Sequence, residues 1–246
     1  MTDTITFEND DIINVLRIFK DLHDICTLNF KKDAIYAKFM DKNLVSVIDM
    51  KLDCYKTNKL KTERQITFNL EDILKIFGCK KRDSYISFKF NSDNILIKFI
   101  DESKKYEKYK LKLVNIEDEN ELGDGEIQHG DIVSIKMFSE ELSNICKKIT
   151  KFDDTMAVVT SGDKLFFNTA ADENVEIFFG VADDENIKIG NDVRINLMTK
   201  YMNIFTKCDK LSDIVTINME DDETPIEMVY EFENSIIRFY LSPQND

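Results

Sequence analysis

The chain has 246 residues, 43% of them hydrophobic, enough to build one large core or two ordinary ones. Its 47 acidic residues against 33 basic ones leave a net charge of -14, which excludes a surface that is basic throughout, although the count does not say where the charges sit. Five cysteines stand singly in apolar stretches, which predicts buried free thiols in a reducing compartment, and no apolar run has membrane-spanning length, so a soluble intracellular protein is expected.

In NDDIINVLRIFKDL (9–22), Ile12, Val15, Leu16, Phe19 and Leu22 recur at helical spacing and predict a first helix. Period-two alternation follows in TLNFKKDAIYAKFMD (27–41) and LVSVIDMKL (44–52), as in antiparallel strands with one face buried. ITFNLEDILKIFGC (66–79) predicts a second helix after Asn69-Leu70, and SYISFKFNSDNILIKFI (84–100) and KYKLKLVNI (108–116) return to strand. NIEDENELGDGEIQHGD (115–131) holds seven acidic residues, no basic ones and three of the seven glycines, which marks a linker. Beyond it come a helix in SEELSNICKKITK (139–151), strands in MAVVTSGDKLFFNTA (156–170) and NVEIFFG (174–180), a helix within RINLMTKYMNIFTKC (194–208), and strands in IVTINME (214–220) and IEMVYEFENSIIRFYL (226–241).

The halves repeat each other. The first helices are offset by about 128 positions, and Asn69-Leu70 and Asn196-Leu197 stand 127 apart, each followed by a helix ending in Ile-Phe. An α+β fold is expected, with two similar duplicated domains, each placing two helices on an antiparallel sheet, over 1–116 and 132–246 with a connecting loop at 117–131. Two distant histidines, no Gly-rich phosphate loop, no HExxH and no nucleophile signature leave no catalytic, metal or cofactor site to nominate.

Five segments in order, FMDKNLVSVIDMKL (39–52), FNLEDILKIFGC (68–79), YKLKLVNIEDENELG (109–123), INLMTKYMNIFTKCDKLSDIVTINM (195–219) and FYLSP (239–243), give the chain a resemblance to the eukaryotic and archaeal sliding clamps of the proliferating cell nuclear antigen (PCNA) family. The resemblance implies a sliding-clamp fold in which three subunits close head to tail into a ring around double-stranded DNA, with the helices lining the hole. It also implies a non-enzymatic processivity factor for a DNA polymerase, opened by a clamp loader, and a nuclear or viral replication site.

The residues add a charge argument. Helical windows 10–22, 70–82, 141–151 and 199–210 carry -1, +2, +2 and +2, so the remainder of the chain holds -19. Lys200, Asn203, Lys207 and Lys210 share one side of a helix and Tyr201, Ile204, Phe205 and Cys208 the other, and Asn144, Lys147, Lys148 and Lys151 repeat the arrangement. Alone, such faces are ordinary solvated surface; the duplication and the repeated sign favour DNA. The family's DNA-facing basic positions match Lys20, Lys75, Lys147 and Lys207, and the charge argument adds Lys80, Lys151, Lys200 and Lys210. Gly78 and Asn144 stand where the family has basic residues, and Asp10 and Asp11 make the first helix less basic.

The family's partner pocket, which receives short apolar-aromatic peptides of DNA polymerase, flap nuclease and ligase, matches Met40, Leu44, Val47, Leu122, Pro225, Tyr240, Ser242 and Pro243. The linker is two or three residues longer than the family's and has Asp124 after Gly123. Its subunit contact matches Lys105, Lys108, Tyr109 and Lys110 on one edge and Glu173, Val175, Glu176, Ile177 and Phe178 on the other. One edge is basic and the other acidic, which favours a homotrimer joined head to tail. A checkpoint-type clamp subunit and an acidic β-rich interaction scaffold are the alternatives.

Overall fold

The computed structural model describes residues 3–7, 9–115, 133–161, 164–169, 178–181, 187–188 and 192–244. The loop expected at 117–131, Leu122 within it, and Glu173, Val175, Glu176 and Ile177 lie outside the described residues. The chain divides into two compact units: Met1–Phe39 with Asp49–Glu121 and Glu233–Ser235, and Met40–Ile48 with Leu122–Phe232 and Ile236–Asp246.

The first unit runs β1 (Thr4–Phe7), α1 (Asp11–Leu22), β2 (Ile25–Phe30), β3 (Ile35–Met40), β4 (Ser46–Leu52, shared with the second unit), β5 (Tyr55–Asn58), β6 (Arg64–Asn69), α2 (Leu70–Phe77), β7 (Tyr85–Phe90), β8 (Asn94–Ile100) and β9 (Tyr106–Lys112). Strands order as β5-β1-β7-β8-β9 and β4-β3-β2-β6. The second runs β10 (Val133–Phe138), α3 (Ser139–Ile149), β11 (Thr155–Ser161), β12 (Lys164–Thr169), β13 (Phe178–Val181), β14 (Ile187–Lys188), β15 (Val193–Met198), α4 (Thr199–Phe205), β16 (Ile214–Met219), β17 (Ile226–Phe232) and β18 (Ser235–Leu241). Its strands order as β14-β10-β16-β17-β18 and β13-β12-β11-β15. Adding nine to each strand number of the first unit reproduces both orders of the second, so the duplication holds strand by strand.

Alternating burial explains the sheets. On β2 and β8 every second residue is buried, and Phe30, Phe88, Ile95 and Ile97 join the core of the first unit. Helix α2 is started by Asn69, whose side chain accepts from the backbone N–H groups of Glu71 and Asp72, and it buries Phe77 against Phe88, stacked at 6.4 Å. In the second unit Phe205 of α4 stacks on Phe239 of β18 at 4.4 Å over fully buried Tyr230.

Two local expectations change. The helix expected across 199–210 stops at Phe205 and tightens into a 3-10 stretch, Thr206–Lys210, where the Thr206 hydroxyl donates back to the Asn203 carbonyl at 3.3 Å. Cys79 is exposed, unlike the other four cysteines, because α2 ends at Phe77 and leaves it in the following turn. No described helix is long and apolar enough to cross a membrane.

Candidate nucleic-acid and partner interfaces

In the first unit α1 lies beside α2, burying Ile12, Val15, Leu16 and Phe19 with Ile73 and Phe77. The expected cations on this layer are largely engaged. Lys20 reaches Asp24 at 2.5 Å, Lys75 reaches Glu71 one turn back at 2.7 Å, and Lys80, whose side chain is 7% exposed, reaches Asp10 at 3.1 Å. The Lys75 ammonium beside Glu71 holds that carboxyl below the usual range and is itself raised. Arg17, Lys80, Lys81 and Arg82 border a shallow depression with Asp10 and Asn14. In the sequence Arg17, Lys81 and Arg82 are only charges within helical windows, and their convergence is a property of the fold.

In the second unit α3 packs beside α4 and the 3-10 stretch, with Leu142, Ile145, Cys146, Ile149, Tyr201, Ile204, Phe205 and Cys208 buried. The other side presents Asn144, Lys147, Lys148, Lys151, Lys200, Lys207 and Lys210, all exposed. Residues three apart eclipse in a 3-10 stretch, so the tightening keeps Lys207 and Lys210 on one ridge. Lys147 lies 3.9 Å from Asp209, and Lys148 lies 5.3 Å from the Phe179 ring. Lys151, Lys200 and Lys210 have no carboxylate partner among the described residues.

The described positions of the expected peptide pocket fall in the second unit. Asp41, 2% exposed, accepts from the backbone N–H groups of Asn43 (2.9 Å), Val45 (2.8 Å) and Ser46 (2.7 Å) and from the Tyr201 hydroxyl (2.7 Å). Asn43 also donates to the Tyr201 hydroxyl at 2.8 Å. This cage holds Leu44 in left-handed backbone, φ 59°, and presents its side chain 73% exposed between half-buried Met40 and Val47. Burial raises the Asp41 carboxyl, but the hydroxyl and three N–H donors outweigh it and leave it below the usual range. The C-terminal segment is tied to the loop by Ser242, whose N–H donates to the Val45 carbonyl at 3.0 Å. Pro225 and Pro243 are half-buried, and Tyr240 is mostly buried, its hydroxyl donating to Glu227 at 2.9 Å.

Strand β9 ends its sheet and carries exposed Lys108, Lys110 and Lys112, with Lys105 just before it. Tyr109 faces the other way, its hydroxyl donating to Glu107 at 2.8 Å, and Glu107 lies 3.0 Å from Lys81. Strand β13, which begins at Phe178, ends the sheet β13-β12-β11-β15.

The sequence profile of the proliferating cell nuclear antigen N-terminal domain matches residues 5–122, and that of its C-terminal domain matches 126–245. The chain belongs to the proliferating cell nuclear antigen family. It is 28% identical over 234 residues to a probable DNA polymerase sliding clamp 2 of Paramecium bursaria Chlorella virus 1, covering 92% of this chain and 84% of that protein. The proliferating cell nuclear antigen structure from Entamoeba histolytica superposes with a TM-score of 0.87 over 100% of both chains at 21% identity, so the fold is the sliding-clamp fold. Members of the family are non-enzymatic processivity factors. Part of what shapes these positions is hidden in the sequence: Asp41, Asn43, Tyr201 and Glu227 also make bonds across 13 to 160 positions of chain, which no local pattern reveals.

Proposed function

We propose that three copies of the chain close head to tail into a ring that encircles duplex DNA and holds a DNA polymerase on it. The pattern of sheet edges carries this reading. Within the second unit, the segment leading into β4 lies along the end of β18, joined by the Ser242 to Val45 bond. The duplicated counterparts of these two strands, β13 and β9, are each the last strand of their sheet. Pairing β9 of one copy with β13 of the next would repeat between copies the contact that the chain makes within itself. Basic β9 would then meet the acidic stretch 172–177, which favours unlike edges over self-pairing.

The helix layers turn inward in this ring, their lysines touching phosphates without reading bases. Short apolar-aromatic peptides of polymerase, flap nuclease and ligase dock over Met40, Leu44, Val47, Leu122, Pro225, Tyr240, Ser242 and Pro243, and a clamp loader opens the ring at a nuclear or viral replication site. The domains are 1–116 and 132–246, linked by 117–131. The deciding measurement is native mass, expected at three times the 28.7 kDa of one chain; one or two chains overturns the ring. Lys105, Lys108 and Lys110 changed together to Glu should yield folded monomers. Peptide binding is expected at about micromolar affinity and should weaken more than about ten-fold in Leu44→Arg or Leu122→Arg, because a charge would replace surface the peptide must desolvate.

A further inference from the structure

A row of polar side chains crosses four strands of the second unit. Ser134 on β10 stands opposite Asn218 on β16, which stands opposite Glu227 on β17, so all three share a face. The Ser134 hydroxyl donates to the Asn218 carbonyl oxygen at 2.8 Å, the Asn218 amide donates to one Glu227 oxygen at 2.6 Å, and the Tyr240 hydroxyl donates to the other at 2.9 Å. Every bond in the row points toward the Glu227 carboxylate. That group is 9% exposed as a residue, and its cation, Arg238, stays 3.6 Å away, beyond a good hydrogen bond.

A carboxylate can accept at about four lone-pair positions, and Asn218 and Tyr240 fill two. A carboxylate held nearly out of water with acceptor capacity to spare is costly, and an apolar residue of similar volume would fill the space at lower cost. Its value lies in what it can bind. Tyr240 is one of the docking positions proposed above and its hydroxyl sits on this carboxylate, so spare acceptor capacity lies beside the place where a ligand's aromatic anchor would rest in that reading. Arg238 supplies a cation there already and disfavours a second, so a neutral donor fits better than Lys or Arg.

We propose that Glu227 is a specificity-determining residue of the partner pocket, selecting peptides whose aromatic anchor beside Tyr240 ends in a hydrogen-bond donor, tyrosine, over the isosteric phenylalanine. The inference rests on the peptide-docking reading above. Calorimetry with synthetic peptides that share an aliphatic anchor and carry Tyr or Phe at each aromatic anchor tests it. The unmodified protein should bind the best Tyr form about ten-fold tighter than its Phe counterpart, the discrimination expected of a hydrogen bond to a charged acceptor. Glu227→Gln, which keeps an acceptor but loses the charge, should reduce the preference to about three-fold. Glu227→Leu combined with Tyr240→Phe, which removes the carboxylate together with the hydroxyl that donates to it, should abolish the preference, read as the ratio of Tyr-peptide to Phe-peptide affinity.

Equal affinity of the parent protein for both peptides overturns the role of Glu227 and leaves the pocket standing. A parent preference that survives undiminished in both Glu227→Gln and the double variant assigns discrimination to another residue and overturns it too. If neither peptide binds the parent protein, the docking reading itself fails and the inference falls with it.

Discussion

Around α1 and α2 the lysines meet carboxylates: Lys20 with Asp24 at 2.5 Å, Lys75 with Glu71 at 2.7 Å, and Lys80 with Asp10 at 3.1 Å. Along α3, α4 and the 3-10 stretch Lys147 approaches Asp209 only at 3.9 Å, while Lys151, Lys200 and Lys210 lie on exposed surface with no carboxylate partner among the described residues. The windows around α2, α3 and α4 carry the same +2, yet they offer a phosphate different things. A paired lysine keeps spare donors, but its charge is offset by the carboxylate and its position is held, so it offers less to a phosphate, and the exposed pairs of Lys20 and Lys75 contribute little to stability. In the proposed ring, the second unit should therefore take the larger part in holding DNA.

The largest expected effect is therefore in the second unit. Changing Lys147, Lys151, Lys207 and Lys210 together to Ala should lower affinity for a short duplex on the order of a hundred-fold at moderate salt. The log–log salt slope should flatten by about 0.9 for each phosphate that is no longer neutralised, uniformly across DNA sequences. Lys20→Ala with Lys75→Ala should change that slope by less than half as much. Equal slope changes in the two sets would break the comparison.

The converse substitution sharpens it. Asp24→Asn with Glu71→Gln releases Lys20 and Lys75 without removing a cation, and should tighten duplex binding about three-fold with a steeper salt slope. Asp209→Asn in the second unit frees a lysine that is barely held, and should change binding by less than about two-fold. Anisotropy titrations of both variants as salt is raised would show whether the gain is confined to the first unit.

The asymmetry was not legible in the sequence, although much of the fold was. The duplication could be seen because helices repeat at 3.6 residues and Asn-Leu precedes a helix in both halves; β2, β8, β12 and β18 could be seen because each buries every second residue for most of its length. Strand β5 gives no such signal. It buries none of its four residues and is held by backbone pairing to β1, so its side chains are free to be polar. The lysine faces could be counted, but the pairing of Lys80 with Asp10 depends on residues 70 positions apart, which helical periodicity does not relate. The expected pocket positions came from family resemblance alone, and the loop that carries Leu44 was not legible: Asp41 reads as a loop acid, and only the fold shows four donors closing on it to hold Leu44 outward.

The smallest expected effect concerns acid, and it again sets the two units apart. Glu71 and Asp41 both lie below the usual carboxylate range, Glu71 through the Lys75 ammonium on an exposed helix, Asp41 through the Tyr201 hydroxyl and three N–H donors that outweigh the penalty of burial. A carboxyl lowered in the folded state contributes stability that is complete above its unfolded value, about 3.9 for Asp and 4.3 for Glu, and that is lost as pH falls through the folded value. Water screens the Glu71 pair, so Glu71→Gln should leave the dependence of Tm on pH between about 5 and 3 close to that of the parent. Asp41→Asn should make it flatter, since the titrating group is gone. It should also lower Tm at neutral pH by a few degrees, because the Asn amide would set a donor against donors on one side; about 1 kcal/mol corresponds to 2–4 °C for a chain of this size. Thermal melts across that range would separate the two, and parallel curves for the parent and Asp41→Asn would show that the Asp41 carboxyl is not lowered by the loop it closes.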